Sequence, residues 1–207
     1  MSFRPFVVLV CLAAGSLFAA ADTIPYGNAG TIAPQLSITA SSTGNITGYF
    51  VSQSAGDDDS IRMIDVNTGW VSDYFFPNHA TTAGATADFG PVNAGDTIVF
   101  ELYNYATSQL FASDGAYSAD GVNHAYTAAF AGGDLSGTIF PAGTYVGMED
   151  LPNGSSDWDY NDDAFLFTNV GTTPHGDPSP VPEPGSLLLL GTGALGAVGA
   201  MRRKLFN

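Results

Sequence analysis

The chain has 207 residues, and its 20 Asp and Glu residues outnumber five Lys and Arg residues, which gives a net charge of −15 at pH 7. A surface this acidic repels nucleic acid and anionic lipid headgroups, so the charge balance argues against nucleic acid as a partner. Hydrophobic residues make up 45% and aromatic residues 12% of the chain, which argues against disorder and suits one folded domain.

Residues 1–21 predict a secretory signal peptide. Arg4 supplies the positive start, Phe6 to Ala14 form an apolar stretch, and the small residues Ala19 and Ala21 mark the cleavage site. The apolar stretch is too short to cross a bilayer as a helix, so we expect cleavage; a retained anchor is the alternative. The mature chain would begin near Asp22 without cysteine, which rules out a disulfide or a thiolate metal site in it.

The predicted elements that follow are short strands separated by turn residues. Residues 22–45 form a lead-in with the first strand, and residues 46–170 form the main module. Alternating or β-branched segments predict strands at 36–40, 46–51, 61–66, 70–76, 97–105, 122–130, 144–148 and 164–170. Outside the two end segments, no window keeps a helical period. This spacing favours an all-β fold, an antiparallel β-sandwich of the jelly-roll or immunoglobulin-like kind.

Two acidic turns stand out in a region, residues 22–184, that keeps only one basic residue, Arg62. Carboxylates crowded in this way repel one another, which costs stability unless salt or bound ions screen them. The first turn contains Asp57, Asp58 and Asp59. We treat it as a second candidate metal site, either separate from the other turn or joined to it in space. A solvated turn is the alternative, because Asp favours turns.

The second acidic turn is the stronger candidate for calcium. Calcium takes six to eight oxygen ligands, and an Asp-x-Asp-x-Asn stretch can point three such side chains inward. Position six of an EF-hand loop would be Gly and position twelve Glu; counted from Asp157 these are Asp162 and Thr168, so the turn is not an EF-hand. Solvated carboxylates are again the alternative. The candidate ligands are Asp157, Asp159, Asn161, Asp162, Asp163, Glu149 and Asp150.

The main module resembles a known family, the secreted module called domain of unknown function 4114. The resemblance covers residues 46–170 and implies a β-rich extracellular module with no established activity. Asp163 departs from the family pattern, because an apolar strand residue is commoner there. The segments that carry the resemblance are ITGYFVSQSAGDDDSIRMID, DTIVFELYN, DGVNHAY and GMEDLPNGSSDWDYNDDAFLF.

The C-terminal segments predict sorting at a membrane. Residues 171–184 form a Pro-rich linker, and residues 185–204 form an apolar helix that ends in basic residues, which favour the cytoplasmic side. This order resembles the PEP-CTERM sorting signal. The resemblance implies a transient stay in the inner membrane, cutting by an exosortase-type protease, and delivery to the cell surface or extracellular matrix. An uncut single-pass anchor is the alternative. The sorting residues are Pro182, Glu183, Pro184, Arg202, Arg203 and Lys204.

The sequence contains no motif of a serine hydrolase, a zinc protease or a phosphate-binding loop. His124 more often packs than binds in such a context, and His175 lies in the linker. We therefore expect a non-catalytic surface or matrix module that Ca²⁺ stabilises. One alternative is a calcium-dependent, lectin-like module for exopolysaccharide that uses Trp158 and Tyr160. A polysaccharide hydrolase, which needs only two carboxylates, is the other. An exposed Trp158 would favour sugar binding, and a buried one a structural role.

Overall fold

The computed structural model describes residues 24–135 and 137–174. The predicted signal peptide and the predicted C-terminal apolar helix lie outside these residues. Among the described residues, no helix has the length and apolar character needed to cross a bilayer. The strands, numbered in chain order, are β1 (Leu36–Ala40), β2 (Gly44–Gln53), β3 (Asp59–Asp65), β4 (Thr86–Val92), β5 (Thr97–Asn104), β6 (Gln109–Ala112), β7 (Ala125–Phe130), β8 (Gly133–Leu135), β9 (Thr138–Phe140), β10 (Gly143–Met148), β11 (Asp163–Phe167) and β12 (Val170–Pro174).

These strands form two five-stranded sheets and a small hairpin. The first sheet has the order β12-β1-β5-β3, and β6 also pairs with β5. The second sheet has the order β4-β2-β11-β10-β7, and β8 pairs only with β9. All of the strand pairs are antiparallel. The prediction of an all-β, antiparallel fold is confirmed.

The apolar faces of the two sheets enclose one core. Ile98, Phe100 and Leu102 alternate along β5, and all three are buried in this core. Phe165 and Phe167 enter the same core from β11 in the other sheet. The rings of Phe100 and Phe167 stack with centroids 3.7 Å apart, which ties the sheets together at their centre.

Strand β11 is buried on both faces, which matters for the acidic residues that precede it. Ala164 and Leu166 point away from the main core into a second apolar cluster, where Phe140 of the β8–β9 hairpin covers them. All five residues of β11, including its first residue Asp163, are therefore buried. A strand that is buried on both faces normally consists of apolar residues throughout. Asp163 is the exception in β11.

The structure corrects several predicted boundaries. Residues 70–76 are not a strand. They pair with β3 through isolated bridges at Val71 and Phe75, and Phe76 has a positive φ of 59°. Strands β4, β6, β8, β9 and β12 were not predicted, and the strand predicted at 164–170 ends at Phe167 as β11. The predicted linker is shortened, because residues 171–174 belong to β12 and pair with β1. The lead-in is not separate from the module, since β1 also pairs with β5.

Candidate metal centre

The two acidic turns lie together at one end of the fold. Strand β2 ends at Gln53, and its last residue pairs with Asp163, the first residue of β11. On its other side Asp163 pairs with Met148, the last residue of β10, so Glu149 and Asp150 follow at the same end. Strand β3 also begins here, with Asp59. Four strand ends therefore bring the first turn next to the second, one of the two arrangements that the sequence left open.

Hydrogen bonds hold the turns in this position. The backbone N–H groups of Ser54 and Ala55 donate to the carbonyl oxygen of Asp162 at 2.9 and 3.1 Å. The amide of Asn104, at the end of β5, donates to Oδ2 of Asp57 at 2.8 Å and to the carbonyl oxygen of Asp150 at 3.0 Å. Asn104 thus joins the first turn to the second from the opposite sheet. The sequence analysis did not identify this residue.

Five aspartates meet at the junction, and we call them the loop-junction cluster. The side chain of Asp150 lies within hydrogen-bonding range of the carboxyl groups of Asp59 and Asp162. The backbone N–H of Asp150 also donates to Oδ2 of Asp162 at 3.1 Å. Asn78, another residue that the sequence analysis missed, donates to Oδ2 of Asp59 at 3.3 Å. The members of the cluster are Asp57, Asp59, Asp150, Asp162 and Asp163.

Asp163 is the most unusual member of the cluster. Its exposed fraction is 0%, and neither of its carboxyl oxygens accepts a hydrogen bond from any residue that the structure describes. Oδ1 of the buried Asp59 also has no partner among those residues. A buried polar atom without a partner costs free energy, and a buried charge costs more. Three carboxyl oxygens in one cluster are therefore left uncompensated by the described part of the chain.

Burial and mutual repulsion raise the pKa values of Asp59, Asp150, Asp162 and Asp163. Burial is the main cause for each carboxyl group, and it raises the pKa of Asp59 to about 7, of Asp162 to about 7 and of Asp150 to about 6. Neighbouring aspartates add to the increase. The pKa of Asp163 is raised well above its usual range, first by burial and then by the charges of Asp59, Asp150 and Asp162. The amide of Asn78 opposes this increase with the smallest of these effects.

The basic side chains of the described residues do not neutralise this cluster. Arg62 forms an ion pair with Glu101 on the neighbouring strand and lies over the ring of Tyr74. His79 contacts Asp58, with Nδ1 at 2.9 Å from Oδ1, on the exposed side of the first turn. Asp58 is thus directed to the surface, and it is the one residue of the first turn that does not join the cluster.

A second group of acidic side chains lies beside the junction, and we call it the loop triad. It consists of Glu149, Asp157 and Asp159, of which one carboxyl oxygen each lies within 4.8 Å of the others. Glu149 is buried and accepts hydrogen bonds from the backbone N–H groups of Trp158 and Tyr160. Burial raises the pKa of Glu149 to about 7. The predicted ligands thus fall into two groups, because Asp162 and Asp163 turn toward the junction.

The remaining predicted ligand, Asn161, links the two turns. Its amide group donates to Oδ2 of Asp159, and its Oδ1 accepts from the hydroxyl of Ser54. The backbone N–H of Asn161 donates to Oδ1 of Asp159 at 3.1 Å. In the structure the side chain of Asn161 therefore fixes the turn by hydrogen bonds to its neighbours.

The aromatic residues of the second turn point into the protein. Trp158 is 7% exposed and Tyr160 is 1% exposed. Both aromatic residues have positive φ values, 54° for Trp158 and 59° for Tyr160. They alternate along the turn with Asp157 and Asp159, whose side chains lie on the outer side. The Tyr160 hydroxyl accepts a hydrogen bond of 2.6 Å from the backbone N–H of Ala33. These rings anchor the turn and do not present a surface to sugar.

His124 packs inside the protein, as the sequence favoured. Its ring contacts those of Phe111 and Trp158, at centroid distances of 4.5 and 5.0 Å. Its Nε2 lies 3.1 Å from each carboxyl oxygen of Asp120. Its Nδ1 is buried and has no partner among the described residues, so no serine hydroxyl completes a triad there. Burial lowers the pKa of His124.

Comparison with known proteins identifies the end of the chain. Residues 180–204 match the PEP-CTERM protein-sorting motif. This motif indicates an exported protein that an exosortase sorts to the cell surface. No curated protein and no solved structure matches the chain. The resemblance of residues 46–170 to a family of unknown function is not confirmed, because the family match covers only the sorting motif.

Proposed function

We propose that this chain is an exported, non-catalytic surface or matrix module whose folded state is stabilised by calcium at the loop-junction cluster. The observation that carries the proposal is Asp163, whose two buried oxygens accept no well-formed hydrogen bond from the described residues; the nearby amide of Asn78 lowers its pKa but does not offset burial. The carboxyl groups of Asp59, Asp150 and Asp162 surround it. A cation among these groups would supply the missing positive charge.

The chemistry of the ligands favours calcium over a transition metal. The loop-junction cluster offers carboxylate oxygens, and neither His nor Cys belongs to it. The amides of Asn78 and Asn104 face it with their N–H groups, which donate to Asp59 and Asp57. Hard oxygen ligands suit calcium and magnesium. Calcium accepts six to eight ligands in variable geometry, whereas magnesium requires a nearly octahedral set and usually keeps several waters. A crowded cluster contributed by three chain segments therefore suits calcium.

The position of the cluster explains how an ion would stabilise the fold. Asp59 begins β3 in the first sheet, and Asp163 begins β11 in the second. An ion bound by both would connect the two sheets at one end of the shared core. Binding to the folded state alone raises the free energy of unfolding by mass action. The loop triad is the second position for an ion in this proposal.

The alternative of a calcium-dependent lectin at the second turn receives no support from the geometry. That function needs Trp158 or Tyr160 on the surface, and both are buried. We also propose that the module is not an enzyme, and that the exosortase and then the exopolysaccharide layer are its partners outside the cytoplasm.

Thermal unfolding of the purified protein tests the calcium proposal. With excess calcium the melting temperature should rise above its value in chelator. At a calcium concentration of about 100 times Kd, the free energy of unfolding should increase by about 2.7 kcal/mol. Magnesium at the same concentration should give a smaller rise. Identical melting curves in chelator and in calcium would refute the proposal. Metal analysis of the dialysed protein then counts the ions: one for the loop-junction cluster alone, or two with the loop triad.

A further inference from the structure

A cleft of about 580 Å³ lies at the opposite end of the fold from the acidic turns. Strand β3 runs from Asp59 at the acidic end to Asp65, and the turn that follows it supplies Thr68 and Trp70 to the cleft. The start of β2 and the end of β4, which are paired there, form the other wall. The two ends of the protein therefore differ in character.

Trp70 gives the cleft an exposed aromatic surface. Its side chain is 48% exposed, whereas the only other tryptophan, Trp158, is 7% exposed. One edge of the indole rests on Gly90, where an added Cβ would lie 2.7 Å from Nε1 of the ring. Nε1 also points to the carbonyl oxygen of Phe89 at 3.4 Å. The ring is thus held along one edge while about half of the side chain stays in solvent.

Polar groups that line the cleft are held in place by neighbouring residues. The hydroxyl of Thr68 donates to Oδ2 of Asp65 at 2.7 Å and accepts from the backbone N–H of Trp70 at 3.3 Å, which leaves one lone pair to accept from a ligand. The amide of Asn93 donates to Oδ2 of Asp96 at 3.0 Å, which leaves its second N–H. The hydroxyl of Thr43 accepts from the backbone N–H of Ala94 at 3.1 Å and can still donate. Fixed donors and acceptors of this kind give orientation to a ligand.

The charge of the cleft indicates the class of ligand. None of its lining residues is ionisable, although the whole chain has a net charge of −15. The field of such a protein repels anions, and a cation is drawn to the acidic turns at the other end. A neutral molecule with many hydroxyl groups and an apolar face matches both the indole and the polar groups around it.

We propose that this cleft binds a short stretch of a neutral hexose polysaccharide, with Trp70 as the platform for a sugar ring. The site is separate from the loop-junction cluster and does not need calcium. Its orientation fits a surface protein: β12 starts at Val170, paired with Ala40, and runs away from the cleft to Pro174. The sorting motif at residues 180–204 follows. The cleft thus lies away from the point where the chain leaves toward the membrane.

Isothermal titration of the purified protein with laminarihexaose, cellohexaose and maltohexaose tests this proposal, and an alginate hexamer serves as the anionic probe. At least one neutral sugar should bind saturably below about 10 mM. Trp70→Ala should weaken that binding at least about tenfold, because it removes the central aromatic contact. Chelator should change nothing, which separates this result from the calcium proposal. Trp70→Tyr should keep most of the affinity.

Tyr105→Ala is the matched control, because Tyr105 is 50% exposed and directly follows Asn104 at the acidic end. Circular dichroism and melting curves check that each variant folds. If Trp70→Ala unfolds the protein, Thr43→Val should still weaken binding severalfold. Three results would overturn the proposal: no saturable binding of any neutral sugar, a preference for the alginate hexamer, or affinity unchanged in folded Trp70→Ala.

Discussion

Replacing Asp163 by Asn should change the stability of the protein in opposite directions with and without calcium. The substitution keeps the shape of the side chain and removes its ability to carry a negative charge. Without calcium, the buried carboxyl group of Asp163 is surrounded by other carboxyl groups and accepts no well-formed hydrogen bond from the described residues. Folding therefore costs free energy at pH 7.5 whether Asp163 keeps its charge or takes up a proton. Asn avoids this cost of charge or protonation, so the substitution should stabilise the folded state in chelator.

The size of the effect follows from the cost of the buried group. An unsatisfied buried polar group costs about 1–3 kcal/mol, and a charged one costs more. Asn is still a buried polar group, so the substitution removes only part of this cost. We expect it to raise the free energy of unfolding in chelator by about 1–3 kcal/mol. For a domain of this size, 1 kcal/mol moves the melting temperature by about 2–4 °C. The Asn variant should thus melt about 2–12 °C above the parent in chelator at pH 7.5.

In excess calcium the order should reverse. The parent gains the stability of the bound ion, whereas the Asn variant has lost one charged ligand and should bind calcium at least about tenfold more weakly. Its calcium-induced rise in melting temperature should be less than half that of the parent. Asp73→Asn is the control, because Asp73 is exposed and lies outside both acidic groups. An Asn variant that is less stable than the parent in chelator, or that responds to calcium as fully, would refute the reasoning.

Three further predictions test the site and the sorting signal. Folding raises the pKa of Asp59 and of Asp162 from 3.8 to about 7. Between about pH 4 and about pH 7 the folded state therefore binds more protons than the unfolded state. Stability in chelator should fall as the pH rises from about 4 to about 7, and the calcium-induced rise in melting temperature should grow over the same range; a stability that increases with pH in chelator would contradict this. Asp159→Ala should remove the ion of the loop triad and leave that of the loop-junction cluster, so metal analysis should give one calcium fewer while most of the stabilisation remains; loss of all calcium response would place the main site at the triad. Replacing the three basic tail residues by Gln should reduce surface delivery, measured by cell fractionation, without changing the melting temperature, and normal delivery would contradict the role assigned to Arg202, Arg203 and Lys204.

The strands that the sequence predicted best are those with clear alternation next to turn residues. The prediction of 36–40 coincides with β1, and that of 97–105 differs from β5 by one residue. Strand β4 was missed because its sequence, TADFGPV, contains Asp, Gly and Pro, which are rare in strands. Residues 70–76 were predicted as a strand because turn residues at 67–69 precede them. Their backbone leaves the ladder, and the positive φ of Phe76 is incompatible with a regular strand.

The acidic turns could be found from the sequence, but their division into two groups could not. Residues 157–163 read as one loop, and only the pairing of Asp163 with Gln53 and Met148 shows that β11 already begins there. That pairing joins residues far apart in the chain. The one signal in the sequence was an aspartate where a strand would normally have an apolar residue. Asn78 and Asn104 carry no local signal, because a single amide has no pattern that reveals a distant partner.

The source of neutralising charge decides what the loop-junction cluster can do. Among the described residues Arg62 is committed to Glu101, and His79 contacts the outward-facing Asp58. Charge compensation must then come from protons or from ions of the medium. With pKa values of about 6 to 7 for Asp150, Asp59 and Asp162, protons compensate the cluster only in part at neutral pH. A divalent ion compensates two charges at once and also provides the missing partner for the oxygens of Asp163. Sodium, with one charge, should therefore fail to replace calcium in the melting assay even at about 0.15 M, where it screens exposed charges but few buried ones.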